Sequence, residues 1–120
     1  MTVAGFGFRK GASVAALHDA LTRAGGPQGV TALATAQEKV AGLAALGASL
    51  GLPVIGVARE SLALQPVISH SPRVKALTGT GSLAEAAALA AAGPGARLCG
   101  PRAVSQDGTA TAALAERIRP

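Results

Sequence analysis

Val3-Ala4-Gly5-Phe6-Gly7-Phe8-Arg9-Lys10-Gly11-Ala12-Ser13 decides how the chain is read. Its first six residues form an apolar run without helical spacing, which predicts a strand. A glycine-rich turn with two adjacent cations follows. Ser13 then stands where a helix can begin, because its hydroxyl can accept from a free backbone N–H. Val14, Leu17, Leu21 and Ala24 fall on one face at three- and four-residue steps, and Gly25-Gly26-Pro27 ends the helix.

The same unit recurs along the chain. Residues 30–34 predict a second strand, and Thr35-Ala36-Gln37-Glu38 has capping-box form. The helix it opens carries Val40, Leu43, Leu46 and Leu50 and closes at Gly51. Residues 54–58 predict a third strand, apolar throughout as in a sheet covered on both faces. Residues 60–64 suit one helical turn. Residues 65–73 read as a loop with Pro66 and Pro72 as breakers, and 74–77 as a short strand. Ser82-Leu83-Ala84-Glu85 is a second capping box, opening an alanine-rich helix that ends near Gly93-Pro94-Gly95. Residues 96–99 predict another strand. In residues 109–118 alanine favours helix, whereas the Thr-Ala-Thr-Ala start after a polar loop favours strand; we read an edge strand. The alternation predicts an α/β fold in one domain over residues 1–120: three α/β/α layers, a mostly parallel central sheet and a C-terminal edge strand.

Composition narrows the function. With 49% apolar residues but two Phe and no Trp or Tyr, the core must be built from Ala, Leu and Val. Eleven basic residues against six acidic ones give a formal charge of +5 and favour anionic partners. Nucleic acid is not expected: the cations are scattered, no Tyr or Trp offers a stacking platform, and zinc-finger and RNA-recognition patterns are missing. Cys99 is the single cysteine, so no internal disulfide or cysteine-based zinc site can form; its apolar surroundings read as a buried strand and an inert core thiol. The N-terminus lacks a signal-peptide layout. Residues 40–58 are uncharged and long enough to span a bilayer, but Gly42, Gly47, Gly51, Pro53 and Gly56 interrupt them. They read as a buried helix and strand, so we expect a cytoplasmic protein with no membrane partner, no cofactor and no metal.

In an open parallel sheet, ligands bind beyond the carboxyl ends of the strands. Three strand-to-helix turns should reach that edge: Gly7 to Ser13, Thr35, and Gly79 to Ser82. Helix N-termini there favour anions, and Gly7, Gly11, Gly79 and Gly81 allow close backbone approach. Arg9 can grip a carboxylate at two points, and Lys10 and Lys39 supply point charges. Ser13, Thr35, Thr78, Thr80 and Ser82 offer hydroxyls. There is a plainer explanation of the same residues: Ser13, Thr35 and Ser82 as caps, Glu38 and Glu85 as capping-box partners, and the cations as solvated side chains. Known nucleotide motifs fail, since Gly5-x-Gly7-x-x-x-Gly11 misses the dinucleotide fingerprint by one residue and no P-loop is present. His18 falls off the apolar face of its helix. His70, in Ser69-His70-Ser71-Pro72, is the one candidate for catalytic acid, base or metal ligand, and no Ser-elbow or triad accompanies it.

Four stretches taken together carry a resemblance: Gly5 to Ser13, Ala34-Thr35 with Lys39, Gly51-Leu52-Pro53-Val54, and Gly79-Thr80-Gly81-Ser82-Leu83-Ala84-Glu85-Ala86-Ala87-Ala88. In this order they resemble the CobE family, which includes the C-terminal domain of CbiG. The resemblance implies a small three-layer α/β domain acting in cobalamin (vitamin B12) biosynthesis. CbiG opens a lactone on a cobalt-precorrin intermediate and releases a two-carbon fragment. This chain is too short to include the N-terminal portion of CbiG, so that activity does not carry over. Corrin precursors carry many acetate and propionate groups. The implied partner is therefore a polycarboxylate tetrapyrrole intermediate, held by Arg9, Lys10, Lys39 and the turn hydroxyls. Two rival expectations are docking on another enzyme of the pathway, and hydrolase or lyase chemistry using His70 or a hydroxyl. The scarcity of aromatic residues counts against a macrocycle site.

Overall fold

β1 (Thr2–Phe8) leads through the basic turn to α1 (Val14–Ala24). In this computed structural model, which describes residues 1–117 apart from the side chain of Thr78, Ser13 Oγ accepts from Ala16 N at 3.0 Å. Gly25 closes α1 at φ 115°, a conformation that favours glycine. The buried face of α1 is Ala16, Leu17, Ala20 and Leu21. Val14, expected on that face, is 43% exposed.

β2 (Val30–Ala36) runs two residues further than expected, which overturns the first capping box. Thr35 lies in the strand and donates from Oγ1 to Phe6 O at 2.9 Å. The following 3₁₀ segment, Gln37–Leu43, begins after Ala36 with no side-chain cap. It runs into α2 (Ala44–Leu50), closed by Gly51. β3 (Val54–Val57) pairs only with β2 and forms one edge of the sheet. Ile55 and Gly56 are exposed there, so this strand is not covered on both faces.

α3 (Arg59–Ala63) supplies the expected single turn. Residues expected as a strand at 74–77 instead belong to α4 (Pro72–Thr78). Ser71 caps this helix, its Oγ accepting from Val74 N, and Pro72 occupies the first helical position, where a missing N–H costs nothing. Proline here starts a helix rather than breaking one. α5 (Leu83–Ala92), β4 (Arg97–Leu98), β5 (Ala103–Val104) and β6 (Ala110–Glu116) complete the chain. Cys99 follows β4 and is exposed, which corrects its expected burial. Its thiol is pushed up by desolvation and by the Glu116 carboxylate, against the Arg97 charge, so it stays protonated.

The sheet order is β3-β2-β1-β6-β4, with β5 also pairing β6. Its core, β1 with β2 and β2 with β3, is parallel, and antiparallel strands complete one side. The tail forms a strand, as expected, but an interior one rather than an edge: it pairs with β1 along one side and with β4 and β5 along the other. The last residue of the expected 109–118 span, Ile118, lies outside the described residues. Small side chains let β6 occupy this position, with Ala112, Ala113 and Ala115 all buried.

The two faces bury separate clusters. Ala4, Phe6, Leu33 and Leu114 pack with Leu17, Leu21, Leu43 and Leu46. Val3, Ala32, Ala34 and Ala115 pack with Leu62 of α3 and with Leu83, Ala87 and Ala88 of α5. The second face is tight because β1 has no side chain at Gly5. A Cβ there would strike the Ala84 carbonyl and come within 2.5 Å of Ala88 N. Both are backbone atoms that cannot swing aside, so Gly5→Ala is expected to cost about 3 kcal/mol or more. Gly100→Ala, at a position with no neighbour within 4 Å, should be near neutral. Urea denaturation of both variants checks this, and equal midpoints would contradict it.

Candidate functional site

Beyond the carboxyl end of β1 lies a cleft of about 370 Å³. Arg9 and Lys10 enter it from the β1 turn, Lys39 from the 3₁₀ segment, Arg73 from α4 and Arg102 from the segment before β5. Among the described residues, no carboxylate, imidazole or thiol lines it. Its apolar surface comes from Phe8, Val74, Leu77, Leu83 and Val104, and its hydroxyls from Ser71, Thr109 and Thr111. Leu77 and Val104 are strongly exposed, at 65% and 47%. Like charges gathered in a concave surface reinforce one another's potential, so the cleft attracts anions.

Each element is fixed locally. Gly7 has no room for a side chain: a Cβ would lie 2.9 Å from Thr111 Oγ1. Arg9 N donates to Thr109 O at 2.8 Å, joining the end of β1 to the start of β6. The loop before β6 is held by Asp107, whose Oδ1 accepts from Ser105 Oγ at 2.7 Å, Thr109 Oγ1 at 2.8 Å and Thr109 N at 3.0 Å. Lys39 is the most committed of the five cations. Its Nζ donates to Phe8 O at 2.6 Å and sits 4.9 Å from the Phe8 ring centroid, in cation–π contact. Among the described residues, no side-chain hydrogen bond or ion pair engages the Arg9, Lys10, Arg73 or Arg102 side chains. These four remain available to a ligand.

Of the residues expected at the site from sequence, the structure brings Gly7, Arg9, Lys10 and Lys39 together in the cleft. Gly11 is exposed at φ 84° in the turn beyond, and Ser13 caps α1. Thr35 is fully buried in the sheet. Thr80, Gly81 and Ser82 are buried beneath the 69–71 loop, where Ser71 N donates to Gly81 O at 2.7 Å. A Cβ at Gly81 would lie 2.8 Å from His70 Nδ1. Gly79 is half-buried at the end of α4, and the Thr78 hydroxyl lies outside the described residues. His70 is exposed and does not line the cleft. The expected rim of three turns is therefore one basic turn facing two other basic segments. Arg73 and Arg102 were missed, although Ser71-Pro72 is itself a helix-start signal that would have put Arg73 on a helix.

Glu85 departs most from its expected role. Ser82 does cap α5, its Oγ accepting from Glu85 N at 3.4 Å, but the Glu85 carboxylate does not return the bond. It is fully buried and accepts from Ile68 N at 2.7 Å, Ser69 N at 2.8 Å, Ser69 Oγ at 2.7 Å and Arg102 N at 2.8 Å. Burial pushes this carboxyl up, but the donors at Ser69, Arg102 and Ile68 outweigh it and hold it below its ordinary value.

The family described as cobalamin synthesis G, C-terminus, matches residues 2–115. The chain belongs to this family. The crystal structure of CobE, a protein from the cobalamin (vitamin B12) biosynthetic pathway, is similar over 98% of this chain and 91% of that one, at 34% identity and a TM-score of 0.86. Cobalamin biosynthesis protein chiG from Agrobacterium tumefaciens is similar over 99% of this chain and 100% of that one, at 38% identity and a TM-score of 0.71. Among curated proteins, none matches. The chain is thus a cobalamin biosynthesis protein of the CobE and CbiG C-terminal family, as the sequence resemblance implied. No helix among the described residues is long and apolar enough to cross a membrane. Nor do the described residues contain a group of three or more His, Cys, Asp or Glu that could hold a metal ion.

The buried Glu85 carboxylate makes the fold sensitive to acid. Its ionised form stabilises the native state above the ordinary carboxyl value of 4.5, and that contribution is lost as pH falls through the lower folded value. Asp19 and Asp107 are also held low, chiefly by the Gln106 N–H and the Ser105 hydroxyl respectively, and act in the same direction. The denaturation midpoint should hold steady from about pH 7 to pH 5 and fall below that range. A midpoint that rises on acidification would contradict the assignment.

Proposed function

We propose that this family member binds a polycarboxylate tetrapyrrole intermediate of cobalamin biosynthesis in the cleft at the end of β1. The observation that carries the reading is the lining itself: among the described residues, five cations, no acid, and an apolar surface between them. Acetate and propionate groups around a macrocycle would meet Arg9, Lys10, Arg73 and Arg102, and the ring edge would lie against Leu77, Leu83 and Val104. Arginine suits this task because its planar fork takes a carboxylate at two points. The aliphatic surface answers the earlier objection about aromatic residues, since apolar contact does not require a ring.

The reading is one of binding. Its lining groups are cations and hydroxyls, which orient and neutralise carboxylates and offer no carboxylate or imidazole base. Catalysis through His70 would require that exposed side chain to reach a ligand from outside the cleft.

Titration with an octacarboxylate porphyrin, followed by its absorbance, tests the proposal. Each of Arg73→Ala and Arg102→Ala should weaken binding about tenfold, as expected for loss of a charge-assisted contact. Affinity should fall as salt rises. Lys75→Ala, an exposed cation outside the lining, should bind like the wild type. Unchanged affinity in an Arg73→Ala/Arg102→Ala double variant would reject the site.

A further inference from the structure

We propose that Glu85 is a positioning residue, a single buried carboxylate that sets the spacing between two cationic walls of the cleft. The proposal rests on the cleft being the binding site. On one side, Glu85 Oε1 accepts from the backbone N–H groups of Ile68 and Ser69. That loop runs directly into Ser71, the cap of α4, and so fixes the helix that carries Arg73. On the other side, Oε2 accepts from the backbone N–H of Arg102, whose own side chain lines the cleft. Ser69 Oγ fills the remaining position on Oε2.

All four groups are donors, and none belongs to a charged side chain. An ionised carboxylate is the one side chain that accepts on both oxygens at once and donates nothing. A cap alone would not need this, since Ser82 already satisfies the start of α5. Glutamine makes the point sharper. Its NH₂ group cannot face the two amides at Ile68 and Ser69, so it would turn toward Ser69 Oγ and Arg102. The hydroxyl can rotate to accept, but the Arg102 amide cannot. Glu85→Gln should therefore free the Arg102 wall and leave the 68–69 loop in place.

The test is a double-mutant cycle read with the octacarboxylate porphyrin, joined to amide hydrogen exchange without ligand. Glu85→Gln is expected to weaken the probe about as much as Arg102→Ala, roughly tenfold. Adding Glu85→Gln to Arg102→Ala should cost less than about twofold more, whereas adding it to Lys10→Ala should multiply the two losses. Exchange should quicken at Arg102 while Ile68 and Ser69 stay protected. A purely structural role would lower stability while leaving the affinity of the folded variant unchanged. That result, full multiplication with Arg102→Ala, or uniform exchange across both segments would each overturn the proposal. If Glu85→Gln does not fold, Glu85→Asp takes its place in the cycle, because the shorter side chain cannot reach both segments. If the wild type fails to bind the probe, the binding reading falls, and the exchange pattern still decides whether Glu85 joins the two walls.

Discussion

Two glycines in β1 allow α5 to lie against the sheet with no side chain between them. At Gly5 the helix backbone occupies the space a Cβ would need, and at Gly7 the Leu83 and Thr111 side chains do. The alanines of α5 answer this from the helix side. Ala84, Ala86, Ala87 and Ala88 are all fully buried, so the helix is apolar around most of its circumference. This close contact places Leu83 in the lining of the cleft and Glu85 within reach of two separate segments. The site is built outward from that packing.

The charges then follow from where the segments end. β1 delivers Arg9 and Lys10 at its carboxyl end, α4 delivers Arg73, and the approach to β5 delivers Arg102. They come from positions far apart in sequence, so the positive surface is a product of the fold. Among the described residues, Arg9, Lys10, Arg73 and Arg102 have no acidic partner at this edge. Asp19 pairs with Arg23 and Glu116 with Arg97, while Asp107 is engaged by Ser105 and Thr109 in bracing the loop that carries Gly108 and Thr109 to the cleft. Glu85 is the exception in kind, a buried carboxylate satisfied by neutral donors, and it stands behind the cleft wall.

What could be read from sequence was what local rules determine. The β1 turn, the Ser13 and Ser82 caps and the glycine stops of α1 and α2 depend on neighbours within a few residues, and each formed. Thr35 was misread because its hydroxyl bonds to Phe6, 29 residues away. Glu85 was misread for the same reason: capping-box spacing is a local pattern, while its real partners are 16 and 17 residues distant. At 74–77 the difference is local, since Pro72 is the first residue of a helix rather than a breaker. Arg9, Lys10 and Lys39 were legible as neighbours at one sheet edge because they adjoin the first strand and the turn after the second, and all three line the cleft. Arg73 and Arg102 became visible only when folding brought their segments opposite β1.

The central claim is that a polycarboxylate macrocycle sits in the cleft at the end of β1. Amide NMR mapping with the octacarboxylate porphyrin tests it most directly. The account predicts that the largest shifts fall on residues 9–10, 73–74, 102–104 and 108–111, and fade as salt is added. Shifts confined to another surface, such as the groove between Pro66 and Pro94, would contradict it.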